Sequence, residues 1–233
     1  MHGWIFLGGP DFDGTALWER PQSGDLVFCA DSGYARAREM GIVPDLLLGD
    51  FDSLAAADAQ NADALGIRRL TVPAHKDDTD TQLAIEEAIS RGCTQLTLVG
   101  GFGGRVDHFG ANLLQLEGYR RRGVKIRLMN GQNRVRCAIS ESVTLCAKDG
   151  YTYFGVLALT DTAKVSIAGA AYPLTHKTLR RDFPYAVSNE FVAPTAEITV
   201  HTGAVLIAES ERKKPDAEAK LLLSKIPKGT EIF

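Results

Sequence analysis

The chain has 233 residues, of which 45% are hydrophobic and 24% charged, with a formal net charge of -3 at pH 7. That length can bury the core of one large domain or two modest ones, and the charge balance does not favour a nucleic-acid partner. No apolar run approaches the ~18 residues of a membrane span, and no segment resembles a signal peptide. The four cysteines lack paired metal-ligand spacing, which favours buried free thiols and a cytoplasmic location.

Six short apolar runs alternate with helical segments in the first half of the chain. The runs are GWIFLGG, LVFCADS, DLLLGD, IRRLTVPA, QLTLVGG and VKIRLMNG. The clearest helix is DTDTQLAIEEAISRG, which ends at Gly92, and a second is expected from about Asp107 to Arg122. Strands that alternate with helices indicate parallel pairing through right-handed crossovers. Residues 1–131 are therefore predicted to form an α/β domain with a doubly wound, mostly parallel, Rossmann-like sheet.

The pattern changes near residue 133. The runs NRVRCAI, YFGVLALT, AKVSIAG, AEITVHTG and AVLIAES alternate in polarity and are joined by turns too short for helices. This is typical of an antiparallel sandwich or barrel. We predict an antiparallel β-sandwich domain over residues 132–210 and a C-terminal extension over residues 211–233.

Aspartates cluster where the predicted parallel strands end. Asp31 follows LVFCA, Asp50 and Asp52 follow LLLG, and Asp80 lies where a loop enters a helix. Ligands of open parallel sheets collect at this edge. Asp50 and Asp52 are two residues apart and point the same way in an extended segment. Magnesium prefers such hard oxygen ligands, so the pattern predicts a metal site.

Each aspartate also has a purely structural interpretation. Asp52 with Ser53 would cap a helix that starts near Leu54. Thr79 precedes Gln82 by the spacing of a capping box, which would make Thr79 an N-cap and Asp80 a favourable first-turn charge. Convergence of several acidic groups at one edge favours the metal interpretation, because like charges repel unless a cation neutralises them.

A glycine-rich loop joins a strand to a helix in LVGGFGGRVDHFGANLL, residues 98–114. Its backbone amides can approach phosphate oxygens in front of the helix N-terminus, although a tight turn would explain the glycines too. Arg105 adds a rigid fork for phosphate. Asp107 either orients Arg105, joins the metal ligands or is a plain helix charge. The predicted phosphate-binding residues are Gly100, Gly101, Gly103, Gly104 and Arg105; the earlier loop GGPDFDG is a weaker candidate of the same kind.

Together these motifs resemble thiamine pyrophosphokinase. The resemblance rests on CADSGYARAREMGIVPDLLLGDFDSL, KDDTDTQLAI and GGFGGRVDHFGANL in that order, followed by YPL at 172–174 and SNEF at 188–191. It extends over nearly the whole chain up to about residue 210. It implies transfer of a pyrophosphoryl group from ATP to the hydroxyl of thiamine, with magnesium, giving thiamine diphosphate and AMP. It also implies a homodimer whose active sites are shared between subunits.

The resemblance implies residue roles as well. Asp31, Asp50, Asp52 and Asp80 would surround the metal and phosphates, with Asp50, Asp52 and Asp80 as metal ligands and, together with Arg105, as catalytic groups. Nucleotide binding would also involve Thr79, Gly101, Gly103, Gly104 and Asp107. Ser188 and Asn189 would lie near thiamine. Since thiamine is a flat cation, the ring of Tyr172, Phe183 or Tyr185 is a possible stacking surface, with packing in the sandwich core as the alternative role.

Two other functions fit parts of the pattern. A pyrophosphokinase for another heteroaromatic alcohol, such as a hydroxymethylpterin, would keep the fold and change the acceptor. A thiamine- or nucleotide-binding sensor without turnover would not need the full set of aspartates and Arg105. The YPL and SNEF motifs favour thiamine over the first alternative, and the complete acidic set argues against the second.

Overall fold

The computed structural model describes residues 1–14, 17, 19–51, 54–71 and 79–211. The predicted extension, apart from Glu211, lies outside these ranges. Within these ranges the first half contains six strands and four helices, and all six predicted strands and both predicted helices are confirmed. The strands are β1 (His2–Phe6), β2 (Leu26–Ala30), β3 (Leu46–Gly49), β4 (Arg68–Thr71), β5 (Gln95–Val99) and β6 (Lys125–Met129). The helices are α1 (Gly33–Glu39), α2 (Ala56–Ala64), α3 (Asp80–Ser90) and α4 (Val106–Arg121).

The second half is built from β-strands. They are β7 (Arg134–Ile139), β8 (Ser142–Cys146), β9 (Tyr153–Ala158), β10 (Thr162–Ala168), β11 (Leu174–Arg180), β12 (Asn189–Glu190), β13 (Thr195–Thr202) and β14 (Ala204–Ser210). The five predicted runs correspond to β7, β9, β10, β13 and β14. No predicted run corresponds to β8 or β11, each of which has a single buried residue, or to β12, which has two residues.

The strands form two sheets. Ten of them lie in the order β12-β9-β14-β7-β6-β5-β1-β2-β3-β4, and the other four in the order β11-β10-β13-β8. Strands β1 to β6 pair in parallel, whereas β7 pairs antiparallel with β6 and with β14. The predicted fold class is confirmed, with one addition: one layer of the sandwich continues the parallel sheet. The predicted domain boundary falls in the turn between β6 and β7 and stays a prediction.

Three apolar clusters cover the faces of these sheets. Ile85 of α3 and Leu116 of α4 pack with Leu98 on one face of the parallel part. Phe6 and Leu47 belong to a second cluster, on the side of α1 and α2. The third, which lies between the two layers of the sandwich, is made mainly of alternating residues of its strands. Continuous apolar strands with helices on both faces are the physical basis of the doubly wound half.

The parallel strands reverse their order at β1. The chain passes from β1 through β2 and β3 to β4 on one side, then returns to β5 on the other side of β1. Such a reversal opens a crevice outside the carboxyl ends of the two strands, and ligands of doubly wound sheets bind there. Residues that follow β1, β2, β3 and β5 therefore share one edge of the sheet.

A buried network of ion pairs joins the parallel half to the sandwich. Nε of Arg134 lies 2.7 Å from Glu209, Nη2 of Arg136 also lies 2.7 Å from Glu209, and Nη2 of Arg134 lies 2.6 Å from Asp149. Arg127 of β6 binds Glu19 at 2.5 Å. We call these residues the junction network: Glu19, Arg127, Arg134, Arg136, Asp149 and Glu209.

Two expectations about the chain as a whole concern membranes and thiols. Among the helices in the described ranges, none is both long and apolar enough to cross a membrane. All four cysteines are free thiols; Cys29, Cys93 and Cys137 are buried and Cys146 is partly exposed. The predicted free thiols are thus confirmed, and their burial for three of the four.

Candidate active site

Three carboxylates meet at the carboxyl edge of the parallel strands. Asp31 follows β2, Asp50 follows β3 and Asp80 opens α3. Burial, a hydrogen bond with the Asp80 side chain and the charges of Asp80 and Asp50 together raise the pKa of Asp31 from 3.8 to about 7. That hydrogen bond places one proton between the two carboxyl groups, and the raised pKa of Asp31 means that the proton is held to higher pH than on an ordinary aspartate. We call Asp31, Asp50 and Asp80 the acidic cluster.

The backbone around this cluster is held in unusual conformations. Asp31 has φ 44° and Phe51 has φ 61°, both in the left-handed region. The amide of Phe51 donates to Oδ1 of Asp31 at 3.4 Å, and a Cβ at Gly49 would overlap the Asp31 carboxylate. Only glycine therefore fits after Leu48. Strained residues of this kind concentrate at functional sites.

The N-termini of α3 and α2 test the helix-capping interpretations of these residues. The capping box of α3 is present, because Thr79 Oγ1 accepts from the amide of Gln82 at 3.2 Å and Gln82 Oε1 accepts from the amide of Thr79 at 3.0 Å. Thr79 thus has a structural role that does not depend on a nucleotide. The N-cap of α2 is Ala55, and Asp52 lies outside the described residues.

The metal assignment stays a prediction. Within the described ranges, no group of three or more His, Cys, Asp or Glu side chains has the geometry to hold a metal ion. One of the three expected ligands, Asp52, is outside those ranges. Asp77 and Asp78 of the KDDTD segment are outside them too.

The two glycine loops lie against each other at the β1–β5 crevice. The amide of Gly101 donates to the carbonyl oxygen of Gly8 at 2.9 Å. Gly103 has φ 67°, and a Cβ at this position would overlap the carboxylate of Asp11. The weaker of the two predicted phosphate loops, GGPDFDG, is therefore a neighbour of the stronger one. The positive φ of Gly103 is a backbone conformation that favours glycine.

Arg105 and Asp107 form a two-point ion pair at the start of α4. Arg105 Nε lies 3.2 Å from Asp107 Oδ1, and Arg105 Nη2 lies 2.6 Å from Asp107 Oδ2. Both side chains are exposed. The hydrogen bond from Arg105 lowers the pKa of Asp107, which also accepts from the amide of His108. Of the interpretations left open by the sequence, orientation of Arg105 by Asp107 is the one with a direct contact.

Three side chains that sequence reasoning missed brace the glycine loops. Arg36 of α1 donates to the carbonyl of Gly9 at 2.9 Å, Asn112 of α4 to that of Gly101 at 3.1 Å, and Asn130 to that of Asp11 at 3.0 Å. Asn112 and Asn130 are buried. An asparagine at a core-facing position of α4 was a detectable signal, because buried amides need partners. Nothing in the sequence distinguished Arg36 from a surface arginine.

The predicted thiamine residues form a separate group in the β-rich half. Asn189 is buried and hydrogen bonded to the backbone of Tyr172, whereas Ser188 is exposed. The rings of Tyr172, Phe183 and Tyr185 are exposed, so the alternative that they form sandwich core is wrong. Asn189 lies on β12, and seven strands separate β12 from the strand that precedes Asp50. The two groups of predicted site residues are therefore not brought together within one chain.

One cavity can be set aside as a site. It measures about 370 Å³ and is lined by Asp161, Thr162, Arg180, Arg181 and Asp182. Its arginines are already paired, Arg180 with Asp182 at 2.9 Å and Arg181 with Asp161 at 2.7 Å. The glycine loops and the acidic cluster do not contribute to it.

Comparison with known proteins agrees with this geometry. The family model described as the thiamin pyrophosphokinase catalytic domain matches residues 17–128, and the one described as its vitamin B1 binding domain matches residues 142–207. Together the two matches cover well over half of the chain. The chain belongs to the thiamin pyrophosphokinase family.

Individual relatives of this family extend along most of the chain. A thiamine pyrophosphokinase of Bacillus subtilis is 24% identical over 207 residues, which are 88% of this chain and 97% of that protein. A crystal structure of the Bacillus subtilis enzyme has a TM-score of 0.82 at 22% identity and covers 91% of this chain and 99% of that one. A family structure from Enterococcus faecalis has a TM-score of 0.77 at 28% identity, covering 91% and 100% of the two chains. The family match thus includes both the acidic edge and the β-rich half.

Proposed function

We propose that this protein transfers the pyrophosphoryl group of ATP to the hydroxyl of thiamine, giving thiamine diphosphate and AMP. Membership of the thiamin pyrophosphokinase family supports synthesis of thiamine diphosphate. The observation that carries the proposal is the acidic cluster next to two glycine loops at the β1–β5 crevice. A site for a nucleoside triphosphate requires carboxylates that hold a metal ion and, beside them, backbone amides that bind phosphates.

The carboxylate oxygens of the acidic cluster have the donor chemistry that magnesium prefers. Asp31 and Asp80 share a proton beside Asp50, and the pKa of Asp31 is raised first by burial and then by the hydrogen bond and charges of its acidic neighbours. A divalent cation would replace that proton. Asp50 and Asp80, with Asp52, would hold it, leaving positions for water and phosphate oxygens. The ion would neutralise charge on the triphosphate during transfer.

The remaining groups would bind and orient the triphosphate. Amides of Gly103 and Gly104 would cradle phosphate oxygens in front of α4, whereas the amide of Gly101, predicted to do the same, already donates to Gly8. Arg105, oriented by Asp107, would stabilise the charge that develops. Positioning and charge neutralisation provide most of the catalysis of phosphoryl transfer, so a dedicated base is not required. Asp80 and Asp107 are the two candidate acceptors of the hydroxyl proton.

The product analysis tests this function directly. Purified protein with thiamine, ATP and magnesium should release AMP in step with thiamine diphosphate, because the acceptor attacks the β-phosphorus. Replacing thiamine by a hydroxymethylpterin should give no product. Release of ADP with thiamine monophosphate would contradict the proposal, as would AMP formation that needs the pterin. Tight binding of thiamine without any product would indicate a sensor.

We also propose that the active site is shared between two copies of the chain. Eight strand spacings, at ~4.8 Å each, put Asn189 on the order of 40 Å along the sheet from Asp50, much farther than thiamine can reach. Apolar side chains are exposed near both groups: Val106 and Leu114 on α4 are 82% and 70% exposed, and Tyr172 and Phe183 are 68% and 65% exposed. A second copy would cover both patches and unite the two halves of each site.

A charged substitution on α4 tests the shared site. Leu114→Asp puts a carboxylate on the exposed patch of α4, about two and a half helical turns from Arg105, and should give folded monomers with at least a tenfold loss of activity. Val43→Asp is the matched control, since Val43 is 60% exposed and precedes β3 at the opposite edge of the sheet. Light scattering after gel filtration measures the mass. A Leu114→Asp monomer that keeps full activity would mean that each chain builds its site alone.

The free cysteines bear on the compartment in which the reaction takes place. We propose that the reaction takes place in the cytoplasm, and the four free cysteines support this, because thiols persist in a reducing compartment.

A further inference from the structure

The Asn189 side chain is tied to the backbone of Tyr172. Its Oδ1 accepts from the Tyr172 amide at 3.0 Å, and its Nδ2 donates to the Tyr172 carbonyl at 2.9 Å. Oδ1 also accepts from the amide of Glu190 at 3.0 Å. These contacts join two segments 17 residues apart that lie beside each other at the margin of the sandwich.

The side-chain amide takes the place of a missing backbone pair. The two segments run antiparallel: Ala171 donates to the carbonyl of Glu190 at 2.9 Å, and Ala170 bridges Phe191. Before Asn189 the chain turns away, since Ser188 has φ 56°. The ladder would end there, but the Asn189 amide provides one donor and one acceptor to Tyr172, as a peptide group would.

These contacts leave Asn189 with little capacity for a ligand. An amide oxygen has two lone pairs, and both are used by backbone N–H groups. The nitrogen has two donors, of which one is used, and the residue is only 5% exposed. Tyr172, in contrast, is accessible to a ligand. Its backbone amide and carbonyl are both bonded to Asn189, but its ring is 68% exposed.

We propose that Asn189 is a positioning residue that acts on thiamine through Tyr172 and does not contact thiamine itself. This inference rests on the proposed function. A held backbone fixes the point from which the Tyr172 ring extends toward the flat thiamine cation, and the quadrupole of an aromatic face attracts a cation. Fixing the Tyr172 backbone before binding reduces the entropy lost when thiamine binds.

A double-mutant cycle tests the inference. The variants are Asn189→Ala, Tyr172→Ala and the double substitution, and the measured quantities are kcat, KM for thiamine and KM for ATP. Each single change should raise the thiamine KM about tenfold, or ~1.4 kcal/mol. The double variant should be no worse than the larger single effect, because Asn189 has nothing to position once the ring is gone. KM for ATP should stay within a factor of about two.

A matched control separates positioning from general weakening of the sandwich. Thr160 also bridges backbone groups with its side chain, accepting from the amide of Ala204 at 3.1 Å and donating to the carbonyl of Thr162 at 2.8 Å. Thr160→Ala should lower the melting temperature without changing the thiamine KM. If Asn189→Ala does not fold, Asn189→Asp takes its place in the cycle, since it keeps the acceptor and turns the Nδ2 donor into an oxygen facing the Tyr172 carbonyl.

The outcomes are distinguishable. If the wild-type protein forms no thiamine diphosphate, the proposed function is wrong, and the variants play no part in that conclusion. If the wild type is active and the two single effects multiply in the double variant, Asn189 acts independently of Tyr172 and the inference is wrong. A thiamine KM that Tyr172→Ala leaves unchanged would overturn it as well.

Discussion

Two groups of charged residues lie on the same ten-stranded sheet and differ in how their charges are compensated. In the junction network, carboxylates and guanidinium groups alternate: Glu209 contacts both Arg134 and Arg136, and Arg134 also contacts Asp149. In the acidic cluster, Asp31 has a second carboxyl group, Asp80, as its hydrogen-bond partner, with Asp50 nearby. The first arrangement is compensated within the protein, whereas the second is compensated by a proton.

The pKa shifts follow from this difference. Burial alone would raise the pKa of Glu209, but Arg136 and Arg134 outweigh it and lower the pKa. For Asp31, burial and neighbouring carboxylates act in the same direction and raise the pKa to about 7. Charged groups that stabilise one another belong to the architecture of the sheet. Like charges held together at a strand edge are what the proposed cation site requires.

The largest expected effect comes from breaking the compensated group. Glu209→Gln keeps the shape of the side chain but leaves the buried Arg134 and Arg136 without their shared carboxylate, so the free energy of unfolding should fall by about 4 kcal/mol. Urea unfolding measures it. The wild-type contribution is present above the pKa of an unfolded glutamate and is lost as the pH falls through the lower folded value; the variant should lack this part of the acid dependence.

A surface pair provides the control for that experiment. Glu117 lies 2.6 Å from Arg121 on α4, with both side chains partly in solvent. Glu117→Gln should cost less than about 1 kcal/mol. Equal effects of Glu117→Gln and Glu209→Gln would mean that the junction network does not depend on its central carboxylate.

The second largest effect is expected at the acidic cluster and concerns the rate of turnover. Asp80→Asn removes one charge but leaves the Thr79–Gln82 capping box, so the fold should survive. Turnover should fall on the order of a hundredfold, since losing one preorganised electrostatic group costs roughly 3 kcal/mol in the transition state. Steady-state kinetics measure it, and Asp63→Asn, an exposed aspartate of α2, should change turnover less than about twofold. Unfolding of Asp80→Asn, or activity within a factor of about two, would make Asp80 a helix charge only.

Much of the parallel half could be predicted because its signals are local. Continuous apolar runs that end in glycine or aspartate correspond to β1, β2, β3 and β5, and the capping box at Thr79 marks the start of α3. The strands of the β-rich half are harder to predict from the sequence. In β11 the residues between Leu174 and Leu179 are exposed, and β12 exists because two residues pair with β9. Such strands are defined by their neighbours, which a single run of sequence does not contain.

The same limit applies to the site. Position at a strand end made Asp31, Asp50 and Asp80 candidates, but the hydrogen bond between Asp31 and Asp80 joins residues far apart in the chain. The link of Asn189 to Tyr172 depends on a turn at Ser188 that no motif encodes. Sequence identified the residue types and their edge of the sheet. Which side chain touches which depends on contacts formed only in the folded chain.

The smallest expected effect tests the comparison between the two groups most directly. Because the pKa of Asp31 is raised from 3.8 to about 7, folded Asp31 keeps a proton that the unfolded chain has lost, and stability declines as the pH rises between these values. Asp31→Asn removes this penalty, still donates to Asp80 and tolerates φ 44°. At pH 8 without divalent ions it should be more stable than wild type by about 1 kcal/mol, allowing for solvent screening.

Magnesium should reverse that ranking. A shift of about 1 kcal/mol corresponds to roughly 2–4 °C in melting temperature for a chain of this size, which calorimetry resolves. Added magnesium should stabilise the wild-type protein, because the ion replaces the shared proton, and should stabilise Asp31→Asn much less. The variant should also lose activity. If Asp31→Asn is less stable than wild type at pH 8 in the presence of a chelator, the Asp31 carboxylate is compensated within the fold, as Glu209 is, and the acidic cluster is not built for a cation.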